Sequence, residues 1–165
     1  MEKQIKGIYV LGIGGSSFQR IELAKACGYE ILGLFHYNND RTGQVDHGYT
    51  IIGSFEDMFA EDIRGKYFLL TMGDMNIRKE LFHRIVSAGG MVPTLIHPTA
   101  EISEFATISS DGVIIDSQVI VQSDCKVEEG AFICSQSMIC HQTTIEPYVF
   151  VAPKSLIGAR LRVKQ

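Results

Sequence analysis

Two groups of residues in this chain of 165 have types and spacings suited to chemistry. The first is a single histidine, His141, followed by Gln142 in the run Ile139-Cys140-His141-Gln142. A neutral imidazole on a surface can take a proton from an amine or hydroxyl as that group attacks a thioester, although most surface histidines do no such work. The second is Gly12-Ile13-Gly14-Gly15-Ser16-Ser17, which lies between an apolar run and a helical pattern. Backbone N–H groups at such a loop and at the helix start after it can hold phosphate, and a β-branched side chain at Gly14 would block the approach. The third glycine of the dinucleotide fingerprint is missing, and the next strand ends in His36-Tyr37 instead of an acid that would hold a ribose. A tight turn with no ligand would need the same glycines. Met72-Gly73-Asp74-Met75-Asn76 follows another apolar run, so it is expected at the same sheet edge, where two converging loops make a ligand crevice. Cys134 and Cys140, six apart, are expected to stack on one face near His141; without a fourth ligand at usable spacing, no metal is expected.

What must position His141 is a repeat. Ile115, Val121, Val127, Ile133, Ile139, Ile145, Val151, Ile157 and Val163 stand six apart without a break, each preceded two places earlier by a mostly small residue. An α-helix would turn residues six apart by about 240° and scatter them. A single strand of that length would span roughly 160 Å. A solenoid buries the stripe, with a short strand and a corner in each six residues and one aliphatic side chain pointing inward per rung. This is the hexapeptide pattern of the left-handed parallel β-helix. Its phase begins at Ile102 and Ile108 and slips by one residue at Asp111-Gly112. His141, two past an inward position, is expected at a corner and open to a neighbouring subunit.

What must position the glycine loop is an alternation of strands and helices. Strands are expected at residues 5–11, 30–35, near 50–52 and at 66–72, with helices at 17–27 and 76–88 and a helix start at Ser54 with Asp57 three residues on. Tyr37 to Gly48 is polar, and Met91 to Ile96 reads as a last strand before His97-Pro98. The fold class is therefore an α/β Rossmann-like domain over 1–98 followed by an all-β left-handed β-helix over 99–165. Fifteen basic against nineteen acidic residues give a net charge of −4 and a pI near 5.7, which argues against nucleic acid or an anionic membrane as the main partner. No apolar run approaches the roughly 20 residues of a membrane span, and Met1-Glu2-Lys3-Gln4 leads into a strand without a signal peptide, so the chain reads as cytoplasmic. The four cysteines show no disulfide framework, and Cys125 reads as a small inward rung residue.

The strand-Gly-x-Gly-Gly loop, the junction Leu95-Ile96-His97-Pro98-Thr99-Ala100-x-Ile102-Ser103, the rungs, and Ile139-Cys140-His141-Gln142-x-x-Ile145 together resemble the NeuD/PglD family of sugar O- and N-acetyltransferases. The resemblance covers essentially the whole chain. It implies a homotrimer, acetyl-CoA as donor, and a nucleotide-linked amino sugar or a sialic acid as acceptor. It makes His141 the general base, Gly12, Gly14 and Gly15 the nucleotide-phosphate loop, and Gly73 with Asn76 the second loop of that pocket. Ser16 stands where some relatives have histidine, and His36-Tyr37 replaces a paired aspartate that contacts the nucleotide, so these three take substrate-binding positions. The residue after the family histidine is commonly acidic and is Gln142 here, which can orient the ring without stabilising imidazolium by charge. A second histidine found nine residues later is Phe150. Relatives continue for several more rungs, so a chain ending at Lys164-Gln165 is expected to be a truncated form with part of the coenzyme A site missing. Lys154, Arg160, Arg162 and Lys164 could attract coenzyme phosphates, with a solvated basic face as the expected reading. Gln142, Phe150 and the short end favour the alternative of a catalytically impaired nucleotide-sugar-binding or assembly subunit.

Overall fold

The structure is a computed structural model that describes residues 6–165 apart from Ser16. It divides into two compact units, the first ending at Val92 and the second running Pro93–Gln165.

In the first unit, β1 (Lys6–Leu11), α1 (Ser17–Ala26), β2 (Tyr29–His36), β3 (Val45–Asp46), β4 (Tyr49–Ser54), α2 (Phe55–Ala60), β5 (Tyr67–Leu70) and α3 (Met75–Ser87) follow in chain order. The sheet order is β3-β4-β2-β1-β5, parallel except for the β3-β4 pair. In register, Val10 lies between Leu34 and Leu69, and Ile51 continues the row from Leu34. All four are buried, as parallel strands covered by helices require. The sequence-based helix start at Ser54 is a full capping box: Ser54 Oγ accepts the Asp57 N–H, and Asp57 accepts the Ser54 N–H. Asp74 caps α3, accepting the N–H groups of Asn76 and Ile77. The polar stretch 37–48 is less irregular than it reads, since it holds a 3₁₀ turn, Asn39–Arg41, and the two-residue β3 on the sheet edge. Among the described residues no helix is long and apolar enough to cross a membrane.

Met91 to Ile96 is not one strand. Met91 bridges Tyr67 in the first unit, Pro93 makes an antiparallel bridge to Asp111, and Leu95–Ile96 is the first strand of the second unit, paired with Ile114–Ile115. Pro93 has no N–H to donate to a ladder, so the run cannot continue as a sheet strand through it. The boundary therefore falls between 92 and 93 instead of 98 and 99.

The second unit is the left-handed parallel β-helix, built from twelve two-residue strands in three four-stranded parallel sheets. Val113, Ile115, Val119, Val121, Cys125, Val127, Ala131, Ile133, Ile139, Ile145, Val149 and Val151 form its buried core, which is the repeat read from the sequence. The slip at Asp111-Gly112 is a corner in which Gly112 takes φ +67° and Asp111 accepts the Gly130 N–H. Other corners are made by non-glycine residues: Gln118, Asp124, Gln136, Gln142, Tyr148, Lys154 and Arg160 all have left-handed backbones. Such a conformation costs about 1–2 kcal/mol. The opposing gain is a hydrogen bond to the coil before, as in Gln142 N–H to Ser123 O and Arg160 N–H to His141 O, both at 3.0 Å. Residues eighteen apart therefore stack, and residues six apart lie on adjacent faces. Cys134 pairs through its N–H with Val151 O and Cys140 with Ile157 O, in different sheets, so the two cysteines do not stack as expected.

Candidate functional site

The first unit carries a pocket of about 400 Å³ at the carboxyl edge of its sheet, lined by Gly12, Gly14 and Gly15 from the loop after β1 and by Thr71, Met72 and Gly73 from the loop after β5. Tyr37, Phe55 and Ile77 form an apolar rim. The glycines differ in kind. Gly12 has φ +95°, and a Cβ there would sit 2.9 Å from Thr71 Oγ1, so the fold itself demands glycine. A Cβ on Gly14, Gly15 or Gly73 would meet nothing within 4 Å, and none of the three has a left-handed backbone. Their missing side chains leave room for something outside the chain to approach.

Ser17 and Thr71, to which the sequence pattern assigns no role of their own, lock this loop. Gly14 N–H donates to Ser17 Oγ at 2.8 Å, Ser17 Oγ is 3.0 Å from Thr71 Oγ1, and Thr71 Oγ1 is 2.8 Å from Gly12 O. A backbone N–H only donates and a carbonyl only accepts, so the chain of donors runs from Gly14 through Ser17 and Thr71 to Gly12. Nothing in the sequence pattern marks this pair, because each contributes one hydroxyl and they lie 54 residues apart.

The remaining predicted residues of this pocket separate. Tyr37 is largely exposed at its rim. His36 is buried outside it, with Nδ1 2.9 Å from Asn38 Oδ1 and its ring 4.2 Å from that of Tyr37. Asn76 does not line it either; its N–H donates to Asp74 Oδ1, and that carboxylate already occupies the positive end of α3. Ser16 lies outside the described residues.

In the second unit, His141 is exposed at a corner beside a groove of about 720 Å³ that Glu101, Ser103, Phe105, Ile120, Gln122 and Met138 help to line. Its backbone N–H donates to Gln122 Oε1 at 3.0 Å, which fixes the corner to the coil before. Its ring Nδ1 is 3.4 Å from Gln142 Oε1. The same Oε1 accepts from Arg160 Nε at 3.0 Å. Cys125, in the coil before, is buried with its thiol 3.1 Å from Cys140 O, and burial pushes its pKa up. Among the described residues no three histidine, cysteine or acidic side chains are grouped to hold a metal. Phe150 packs edge-on against Phe132 with ring centres 5.4 Å apart. Of the four basic residues near the end, Arg162 pairs with Glu146 and Arg160 with Gln142, so half of that face is engaged by its own chain.

The model of the PglD N-terminal domain matches residues 7–85. No curated protein matches the chain by sequence. Among solved structures, the acetyltransferase domain of PglB from Neisseria gonorrhoeae in complex with acetyl coenzyme A is 22% identical over 96% of this chain and 76% of that one, with a TM-score of 0.83. A histidine-to-alanine mutant of GDP-perosamine N-acetyl transferase from Caulobacter crescentus, in complex with CoA and GDP-perosamine, is 22% identical over 96% of this chain and 74% of that one, with a TM-score of 0.85. WeeI from Acinetobacter baumannii is 16% identical, over 91% of this chain and 71% of that one, with a TM-score of 0.76. Residues 7–85 are thus similar to the PglD N-terminal domain, and the fold shared with these acetyltransferase structures, an α/β domain followed by a left-handed parallel β-helix, runs through both units.

Proposed function

We propose that the protein transfers an acetyl group from acetyl-CoA to an amine or hydroxyl of a nucleotide-linked amino sugar or a sialic acid, with His141 as general base. The observation that carries this reading is His141 itself, exposed at a solenoid corner, held through its N–H by Gln122, and open to a groove large enough for a ligand. His141 Nε2 takes the proton from the acceptor nitrogen or oxygen as its lone pair attacks the thioester carbonyl. The tetrahedral oxyanion, held by backbone N–H groups, collapses with loss of the thiolate, which recovers the proton from the imidazolium. The glycine-lined pocket takes the nucleotide, its phosphates lying over Gly14 and Gly15, where no side chain stands in the way. Solved proteins of this fold that were captured with acetyl coenzyme A, or with CoA and GDP-perosamine, support the same donor and the same class of acceptor.

A homotrimer belongs to this reading. Ile120, Met138 and Leu156 form a row in one solenoid sheet, adjacent to the inward Val121, Ile139 and Ile157, and Leu156 is 71% exposed. An apolar row on a flat prism face suits packing about a threefold axis, and it would place a neighbour against the groove beside His141.

Release of free thiol from acetyl-CoA, measured with a panel of nucleotide amino sugars and sialic acids, tests the reading. His141→Ala is expected to lower turnover about a hundredfold or more at nearly unchanged acceptor affinity. A fully active His141→Ala protein would sink the catalytic assignment and leave the nucleotide-sugar-binding subunit in its place.

A further inference from the structure

Three coils meet at the corner that carries His141. Gln122 lies in the coil before, and Arg160 lies eighteen residues after Gln142 in the coil that follows. Arg160 is tied to this corner twice, by its backbone N–H to His141 O at 3.0 Å and by its side-chain Nε to Gln142 Oε1 at 3.0 Å. A glutamine amide can present either its oxygen or its nitrogen, and alone Gln142 has no reason to prefer one. A guanidinium only donates, so the atom facing Arg160 must be the oxygen. That same oxygen lies 3.4 Å from His141 Nδ1. Nδ1 must then carry the proton, and the lone pair is left on Nε2.

Building on the assignment of His141 as the base, we infer that Arg160 is a positioning residue. It pins the Gln142 amide with its oxygen toward the ring and so selects the His141 tautomer whose Nε2 is free to accept a proton. A carboxylate at position 142 would have two equivalent oxygens and need no such pin. A glutamine does need it, and the eighteen-residue stacking of the solenoid supplies it.

The tautomer can be read without any turnover. In the full chain labelled with ¹⁵N-histidine, two-bond proton-nitrogen spectra recorded above the imidazole titration should show His141 protonated on Nδ1. Arg160→Met keeps the chain length and removes the donor, and it should move population to the Nε2-protonated form; Arg160→Lys, which keeps a donor, should retain much of the parent pattern. In the thiol-release assay Arg160→Met should lower kcat about threefold to tenfold, the worth of one hydrogen bond, with the acceptor KM unchanged. Added to Gln142→Leu it should cost nothing further, since both break one path. A parent already protonated on Nε2, or an unchanged tautomer in Arg160→Met, overturns the inference. So does an effect confined to the KM for acetyl-CoA, which would make Arg160 a coenzyme contact. The base assignment fails separately, on an active His141→Ala protein, and the tautomer measurement stays readable in that event.

Discussion

Gly14→Val separates a loop built for a ligand from a loop built for a turn. In the structure a Cβ at Gly14 meets no atom within 4 Å, and the backbone there is not left-handed, so a side chain at this lining position of the pocket starts in open space on a backbone that other residues adopt. The Gly14 N–H bond to Ser17 Oγ uses only the backbone and survives the change. Folding stability should therefore stay within about 0.5 kcal/mol of the parent, the range of substitutions that touch nothing. Binding should not. A hydrogen bond to a charged group such as a phosphate is worth about 1.5–3 kcal/mol, so displacing the ligand from one such contact weakens Kd by about tenfold to 150-fold. Gly12→Ala is the control with the opposite signature. Its Cβ would meet Thr71 Oγ1 at 2.9 Å with φ at +95°, and the left-handed backbone alone costs about 1–2 kcal/mol, or about 4–16 °C in the melting of a domain this size. Calorimetry with uridine and guanosine nucleotide sugars, run beside thermal melts of the same samples, gives both readouts. If Gly14→Val binds as tightly as its parent, or melts as early as Gly12→Ala, the pocket is a turn and the reasoning from the missing side chains is refuted.

Thr71→Val keeps the shape of the side chain and removes the hydroxyl that closes the path from Gly14 to Gly12, so it should destabilise the first unit by about 1–3 kcal/mol and weaken nucleotide-sugar binding, read in the same melts and titrations. Gln142→Glu should raise kcat in the thiol-release assay, because a carboxylate there would stabilise imidazolium by charge while still accepting from Arg160. Light scattering at micromolar protein should give three times the 18.3 kDa chain mass, and Met138→Glu on the apolar row should reduce it. Asp57 accepts from the Ser54 N–H and hydroxyl, which holds its carboxyl below the usual range. The stabilisation this gives is complete above the unfolded value near ~3.9 and is lost as pH falls below it. Asp57→Asn should flatten the acid limb of the first unit's melting curve in that window.

The solenoid was legible because its inward position repeats every six residues, and a slip of one residue at Asp111-Gly112 is visible against so regular a background. The capping box at Ser54 and Asp57 was legible for the same reason that caps generally are: donor, acceptor and spacing all lie within four residues. Where the reading failed, the deciding interaction was remote or the signal was a single atom. Met91 to Ile96 looked like one apolar strand, and the absent N–H of Pro93 divided it between two units. Asn76 stood in the right loop, yet its N–H and the positive end of α3 both went to Asp74, a residue whose capping role competes directly with phosphate binding. Ser17 and Thr71 were missed because hydroxyls that meet across 54 residues leave no local pattern.

The same contrast explains why Cys134 and Cys140 were misplaced and Arg160 was undervalued. A six-residue period fixes which side chains point inward, but three strands make one coil, so the surface neighbour of any residue lies eighteen positions away. Read at six, Cys134 and Cys140 look stacked; in the structure their N–H groups bond into different sheets. Read as four nearby cations, Arg160 belongs to a basic tail. Read at eighteen, it belongs to Gln142, and Arg162 to the sheet column of Thr144. Chemistry on a solenoid surface is therefore to be sought along columns and not along the chain. For this protein His141 is held by Gln142 and Arg160, which stack eighteen apart, and through its N–H by Gln122 in the coil before, so substitutions at these three should change how the imidazole is held, while substitutions one corner away, at Gln136 or Lys154, should leave it alone.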